Sequence, residues 1–297
     1  MRFSSRARKH VILVMAVTGA LAAGPSAALD WPVDDRVLTG TFGEDMGDHF
    51  LNGIDIGGGS QEIHPVLPGE LVFRYDEVSD YSSLPRGLGT FLVLRHGQDV
   101  LSVYAHMQSG TLGPEKDTYD VKDRVGFAGE SGHAQSPELH FALYDEEAGS
   151  MVNPLALLPV LADTQPPMIR RVVLAVGDQR QVLVDGATLR PGRISVLADV
   201  VDLREDVRFS WPLAPYSIAV SLDGNEVARI VFDSLQVQEG RAVLGPRGPS
   251  RDAIYDPDGL IRCATLDIHP GSSHLRIVAR DFAGNETARE IAFTVQE

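Results

Sequence analysis

The chain has 297 residues, a formal net charge of -15, 43% hydrophobic residues and a single cysteine. That length accommodates two ordinary domains but not a third of any size, and a mean hydropathy of -0.04 excludes a disordered chain. The acidity excludes a general nucleic-acid binder, whose surface must be basic to hold phosphate. One cysteine excludes an internal disulfide.

Residues 1–28 read as a secretory signal peptide. Arg2, Arg6, Arg8 and Lys9 precede an apolar run from Val11 to Ala23, and Ser26 and Ala28 supply small residues for cleavage before Leu29. Thirteen residues are too few to span a bilayer comfortably. An exported protein of the periplasm or cell envelope, with no stable membrane anchor, is therefore expected. Cleavage removes four basic residues and no acidic ones, taking the net charge from -15 to -19.

An acidic lead-in follows, then a strand over Val37–Phe42. Short apolar stretches broken by glycine come next: Glu70–Arg74, Thr90–Leu94, Leu101–Ala105 and Leu139–Tyr144. Stretches of this length with β-branched and aromatic residues predict strands, and only Pro154–Leu161 carries a helical hint. The first domain, residues 29–162, is predicted to be β. Pro166 and Pro167 mark a stiff linker over 163–168. Beyond it, strand signals resume over Ile169–Val176, Gln181–Val184, Arg193–Val201, Tyr216–Leu222, Val227–Phe232, Leu275–Ala279 and Ile291–Val295. Asp223-Gly224 suits a hairpin turn needing positive φ, and Asp281–Asn285 a longer loop. Regular short strands with such turns predict a β-sandwich over residues 169–297. Its last ~30 residues resemble a bacterial immunoglobulin-like domain, in which a strand ending Ala-Arg-Asp runs into an Ala-Gly-Asn turn. Strand alternation puts Ile261, Cys263 and Thr265 on one face opposite Arg262, as a structural thiol would sit.

The candidate chemistry lies in the first domain. Four stretches fall in order: His49-Phe-Leu-Asn-Gly-Ile-Asp55-Ile56; His64-Pro-Val-Leu-Pro-Gly-Glu-Leu-Val72; Arg95-His96-Gly97 with Tyr104-Ala-His106-Met107; and Gly126–Gly132 with Glu138-Leu-His140-Phe-Ala-Leu143, closing on Asn153-Pro-Leu155. Asp55, His106 and His140 come from separate strands and are ordinary Zn²⁺ ligand types. Glu138 and His140, two apart, share a strand face, and a carboxylate beside a metal-bound water can act as general base. Gly57-Gly58-Gly59 is no phosphate loop, since neither Lys-Ser/Thr nor a helix follows. Asn285-Glu286-Thr287 reads as a turn rather than a glycosylation site.

On these residues the segment 37–160 resembles the LytM/lysostaphin family of peptidoglycan zinc metalloendopeptidases, with their duplicated hybrid motif fold. The fold class implied is all-β: a LytM-type antiparallel β-sheet peptidase-like domain followed by an immunoglobulin-like β-sandwich. In the family the first stretch reads His-x-Gly-x-Asp, the middle one Tyr-Ala-His and the last His-x-His-Phe. Asp55 and His140 thus match two metal ligands, and His106 the histidine that supports the reacting water. Two positions depart: Leu51 replaces the first ligand histidine, and Glu138 replaces the base histidine. Glutamate can still accept a proton, but leucine offers no lone pair, so binding of the implied Zn²⁺ is expected to be weak or absent. His49, two residues before Leu51, becomes a third ligand only if a bulge shifts the register. His133 is another conceivable donor; His49, His64, His96 and His133 otherwise read as surface or turn histidines.

The leading expectation is a degenerate, non-catalytic domain that binds peptidoglycan or regulates a cell-wall hydrolase. The resemblance implies an amidase as that partner, because family relatives lacking the full ligand set activate wall amidases. The alternatives are an active zinc endopeptidase cutting peptide cross-links with an atypical ligand set, Glu138 as base and His106 steadying the oxyanion, and a purely structural envelope protein.

Overall fold

The computed structural model describes residues 29–79, 87–97, 99–204 and 212–297; the expected signal peptide lies outside them. Among the described residues, no helix is long and apolar enough to cross a membrane.

The first unit holds β1 (Leu38–Gly40), β2 (Ile54–Ile56), β3 (Glu62–Ile63), β4 (Gly69–Tyr75), β5 (Thr90–His96), β6 (Val100–Met107), β7 (Thr118–Tyr119), β8 (Gly126–Phe127), β9 (Leu139–Asp145) and β10 (Ser150–Val152). An antiparallel run β10-β9-β6-β5-β4-β7 forms the main sheet. Burial alternates along β5, so every second residue faces the core, whereas the first five residues of β9 are all buried. That continuous burial marks β9 as central, and its two halves take different neighbours. β2 pairs with Leu139–Phe141, and β10 pairs with Leu143–Asp145. The core beneath is built from Ile54, Ile56, Leu92, Leu94, Tyr104 and Phe141, each at most 1% exposed. The helical hint near Pro154 becomes a single 3-10 turn, Pro154–Ala156, capped by the Asn153 side chain.

The second unit holds β11 (Met168–Val176), β12 (Gln179–Val182), β13 (Ala187–Leu189), β14 (Gly192–Val201), β15 (Ser217–Leu222), β16 (Asn225–Val231), β17 (Ser234–Gln238), β18 (Arg241–Leu244), β19 (Ile261–Ile268), β20 (Gly271–Arg280) and β21 (Glu286–Val295). Two sheets, β12-β11-β14-β19 and β13-β21-β20-β15-β16, close on one core. The β15–β16 hairpin turns at Asp223 and Gly224, with φ of 52° and 82°, the paired positive values that a two-residue turn requires.

Cys263 departs from the simple alternation. Arg262 pairs with Leu197 and Ala264 with Val196, so Cys263 is an extra residue in a bulge. It and Ala264 are both buried, while Thr265 turns to solvent. Burial pushes the thiol up to about 12, so it stays protonated and inert.

The two units are fused more closely than a linker between separate modules would suggest. β17 pairs with β10, so the β17–β18 hairpin of the second unit extends the first unit's sheet. Phe42 and Phe50, from the first unit, join Phe232, Leu235, Leu244 and Tyr255 in the second unit's core. Arg251 donates twice to the Asp45 carboxylate, at 2.7 Å each, and the Tyr255 hydroxyl donates to the Gly43 carbonyl. Gly43 has φ of +87°, and a Cβ there would lie 2.3 Å from the Phe232 ring. Glycine is the residue that permits this approach.

Candidate functional site

Asp55 lies on β2 directly opposite His140 on β9, and Ala105 on β6 faces His140 from the other side. Three adjacent strands therefore bring Asp55, His140 and His106 together from sequence positions up to 85 residues apart. Gly53 makes the β2–β9 approach feasible: a Cβ there would sit 2.4 Å from the Phe141 carbonyl oxygen and 2.9 Å from the His140 ring.

The Asp55 carboxylate accepts a 2.7 Å hydrogen bond from His140 Nδ1, and these side chains are 13% and 6% exposed. The two matched ligand residues thus satisfy each other in a buried pair. The His106 ring stands edge-on to His140 with centroids 5.8 Å apart. Its Nδ1 donates to the Ser131 carbonyl at 3.0 Å, which leaves Nε2 as the unprotonated nitrogen. Burial and then the neighbouring His140 hold the His106 pKa below its ordinary value. His106 also takes φ of 61°, a left-handed conformation that a bulky residue adopts only when its surroundings enforce it. Ser131 is part of that enforcement: its hydroxyl donates to Met107 O and accepts from Thr90 N.

Glu138 bridges to Gly129 just before β9. Burial, then the Asp55 charge, raises its carboxyl to about 7, and the Thr39 hydroxyl reaches it at 3.5 Å. Glu138 is therefore poised to exchange a proton near neutral pH.

Leu51 is 5% exposed. An ideal Cβ on Gly40 would lie 2.8 Å from its Cδ2 and 2.9 Å from Asp55 Oδ2, so the leucine methyl and the carboxylate flank the same space. Among the described residues, no three His, Cys, Asp or Glu donors converge within 4.8 Å of one another at this site. A catalytic zinc needs three such ligands plus an open position. The residues present do not fit one.

His49 does not fill the gap. Residues 43–51 form a hairpin closed by Leu51 N to Glu44 O and Gly43 N to Leu51 O. Its turn sends His49 to the surface, beside Asp48 and the second unit's Arg241 and Arg251. His133 is exposed on the loop carrying Ser131. His64 is half-buried and bonds the Asp123 carbonyl. His96, read from the sequence as a surface or turn residue, is a core histidine instead. It is 6% exposed and is held between Pro68 O and the Ser102 hydroxyl, and burial lowers its pKa.

Sequence reasoning missed Ser131, Thr39 and Glu44. The Glu44 carboxylate accepts from Ala214 N and the Thr41 hydroxyl, yet burial outweighs both and pushes it up to about 7 from an ordinary 4.5. A raised folded-state value means that the folded chain binds this proton more tightly than the unfolded chain. The associated stability is complete below about pH 4.5 and is lost as pH rises through about 7. Replacing Glu44→Gln keeps both hydrogen bonds without the charge. The variant is expected to match the wild type near pH 4.5 and to exceed it by ~3 kcal/mol at pH 8, read from urea melts across that range. Equal pH profiles would contradict this.

Residues 49–154 match the family model Peptidase family M23, and a separate family model covers residues 166–296. The murein hydrolase activator NlpD of Salmonella typhimurium is 32% identical over 136 residues, 46% of this chain and 32% of its own length. Its Escherichia coli counterpart is 31% identical over a stretch of the same length, again 46% of this chain and 32% of its own. The outer membrane antigenic lipoprotein B of Haemophilus influenzae is 27% identical over 130 residues, 43% of this chain and 29% of its own. The chain spans about a third of the length of the curated relatives it matches. Among solved structures, the catalytic domain of the prophage-encoded M23 protein EnpA from Enterococcus faecalis aligns at 24% identity and a TM-score of 0.33, covering 40% of this chain and 88% of that one. The chain carries a LytM-type domain of peptidase family M23, in which leucine stands at one expected metal-ligand position and glutamate at the expected base position.

Proposed function

We propose that this M23 domain is non-catalytic and regulates a peptidoglycan hydrolase in the cell envelope, using the Asp55–His140–His106 surface to hold the wall or the partner enzyme. The observation that carries this reading is the buried Leu51 beside Asp55. It leaves that position without a metal-binding group, while Asp55, His140 and His106 stand together on adjacent strands. The NlpD relatives are murein hydrolase activators, and regulation of the same kind is the role assigned here, with a wall amidase as the partner. The second unit, read as an immunoglobulin-like sandwich, is a docking or spacing module. Export of the chain to the periplasm fits the lipoprotein relatives. Any Zn²⁺ bound at Asp55 and His140 alone is weak.

The test is reconstitution with cross-linked sacculi and a purified wall amidase. The chain is expected to accelerate release of soluble wall fragments several-fold and to release none by itself. Replacing Asp55→Ala together with His140→Ala is expected to abolish the stimulation. Stoichiometric zinc in the purified protein, together with cleaved peptide stems from the chain alone, would establish the endopeptidase reading instead. Wild-type stimulation that survives the double replacement would reject this surface as the working one.

A further inference from the structure

A second group of acidic side chains lies where the connector enters the second unit. Asp163 in the connector, Asp202 after β14 and Asp281 in the β20–β21 loop each place a carboxylate oxygen within 4.8 Å of the others. The three come from distant parts of the chain, and all are withdrawn from solvent. The Asp163 side chain is 4% exposed, Asp202 7% and Asp281 1%. Three carboxylates in so small a buried volume repel one another strongly unless a cation or proton intervenes.

Most of their oxygens have partners. Asp281 Oδ1 accepts from the Gly284 and Asn285 amides, and Oδ2 accepts from Asn285 Nδ2. Asp163 Oδ1 accepts from the Gln165 amide. Arg204 brings one positive charge, with Nη1 at 3.5 Å from Asp163 Oδ2, while its Nη2 donates to the Ala162 carbonyl. Asp202 Oδ1 is buried and has no hydrogen-bond partner. A buried carboxylate oxygen left bare is costly, and its presence on a residue more than nine-tenths buried points to a missing electropositive group. A cavity of about 40 Å³, lined by Asp163, Asp202, Arg204, Tyr216 and Phe282 among others, adjoins the cluster. That space suits one small occupant.

We propose that Asp163, Asp202 and Asp281 form a divalent-cation site that takes Ca²⁺ and clamps the connector onto the second unit. The donors are oxygens only, which favours hard cations over zinc or copper. Ca²⁺ accepts irregular sets of carboxylates, whereas Mg²⁺ keeps several waters in strict octahedral geometry and has no room for them here. The cation joins three segments. These are the connector leaving the M23 domain, the end of β14, where Asp202 pairs with Leu213, and the β20–β21 loop, whose Asn285 bonds Asp163 O. It would thereby add a tie at the connector to the sheet and core contacts that already join the two units. Without a cation, the burial and like charges that lift Asp202 to about 7 would leave a shared proton in its place.

The experiment uses the full chain, stripped with EDTA and exchanged into chelator-free buffer at pH 7.5. Calorimetric titration with Ca²⁺ is expected to give one site per chain, and saturating Ca²⁺ to raise Tm by about 5 °C or more, with Mg²⁺ giving much less. Tb³⁺ is expected to luminesce through Tyr216, which lines the cavity, and Ca²⁺ to quench that signal. Asp202→Asn and, independently, Asp163→Asn are expected to remove both the Tb³⁺ signal and the Ca²⁺-dependent Tm shift. Absence of Ca²⁺ binding and of any Tm shift in the wild type at millimolar Ca²⁺ would overturn the proposal in favour of the shared proton. Unchanged Ca²⁺ binding in folded samples of both variants would overturn it as well, placing the cation elsewhere. None of these readouts depends on the M23 site, so either proposal can fail alone.

Discussion

Replacing Leu51→His is expected to convert a chain that holds zinc weakly or not at all into one that retains about one zinc through gel filtration. Structural zinc sites with four protein ligands release roughly 10–16 kcal/mol, or ~3 kcal/mol per ligand, so a third donor is worth about a hundred-fold or more in affinity. The geometry favours the exchange because Leu51 is already buried on the Asp55 side of the space above Gly40, and a histidine has a similar volume. The incoming ion must first separate Asp55 from His140, whose 2.7 Å hydrogen bond occupies the nitrogen and oxygen that face each other. That cost is shared by wild type and variant, so the ratio of affinities reports the added ligand. Metal content after dialysis and competition with a chromogenic chelator measure it. Equal zinc content in both proteins would mean that Leu51 is not the reason the site is silent.

How far this site was legible in the sequence depends on how local each signal was. Asp55, Glu138 and His140 sit within short stretches whose neighbours fix their strands, so alternation alone placed Glu138 and His140 on one face. His106 was singled out through the Tyr-Ala-His resemblance, but its left-handed backbone and its bond to Ser131 O arise from a loop 25 residues away. Nothing in the local pattern encodes that contact. His49 misled because extended-strand spacing was assumed where Met46–His49 makes a tight turn. His96 misled because an Arg-His-Gly sequence reads as a turn, whereas it ends the buried alternation of β5 with His96 facing inward. The β17–β18 hairpin went unread because Val237, Gln238 and Glu239 look like loop. A hairpin added at the rim of a sheet, with one solvated face, needs little apolar residue content once the neighbouring strand accepts its hydrogen bonds. The Asp163–Asp202–Asp281 cluster was invisible for the plainest reason: its members lie at least 39 positions apart.

Residues 29–162 expressed alone are expected to fail to fold as a stable domain, even though the linker at 163–168 marks a sequence boundary. The cause is the placement of Phe42 and Phe50. They are 1% and 2% exposed in the whole chain, but the core that covers them belongs to the second unit. Uncovering two phenylalanines forfeits roughly 3–6 kcal/mol of burial, a large fraction of the 5–15 kcal/mol that holds a typical domain together. The excision also exposes the β10 edge that β17 now pairs and leaves Asp45 without Arg251. The hairpin 43–51 carries Leu51 at its end, so losing its cover loosens the strand that positions Asp55. Within the intact chain the same coupling predicts that Phe232→Ala, which empties a fully buried site against Gly43, costs about 3–5 kcal/mol. Both units should lose stability together, in a single thermal transition followed by near-ultraviolet circular dichroism and by calorimetry. Two separate transitions, with residues 29–162 melting at the wild-type temperature, would mean that the shared sheet and core contribute little to holding the M23 site in shape.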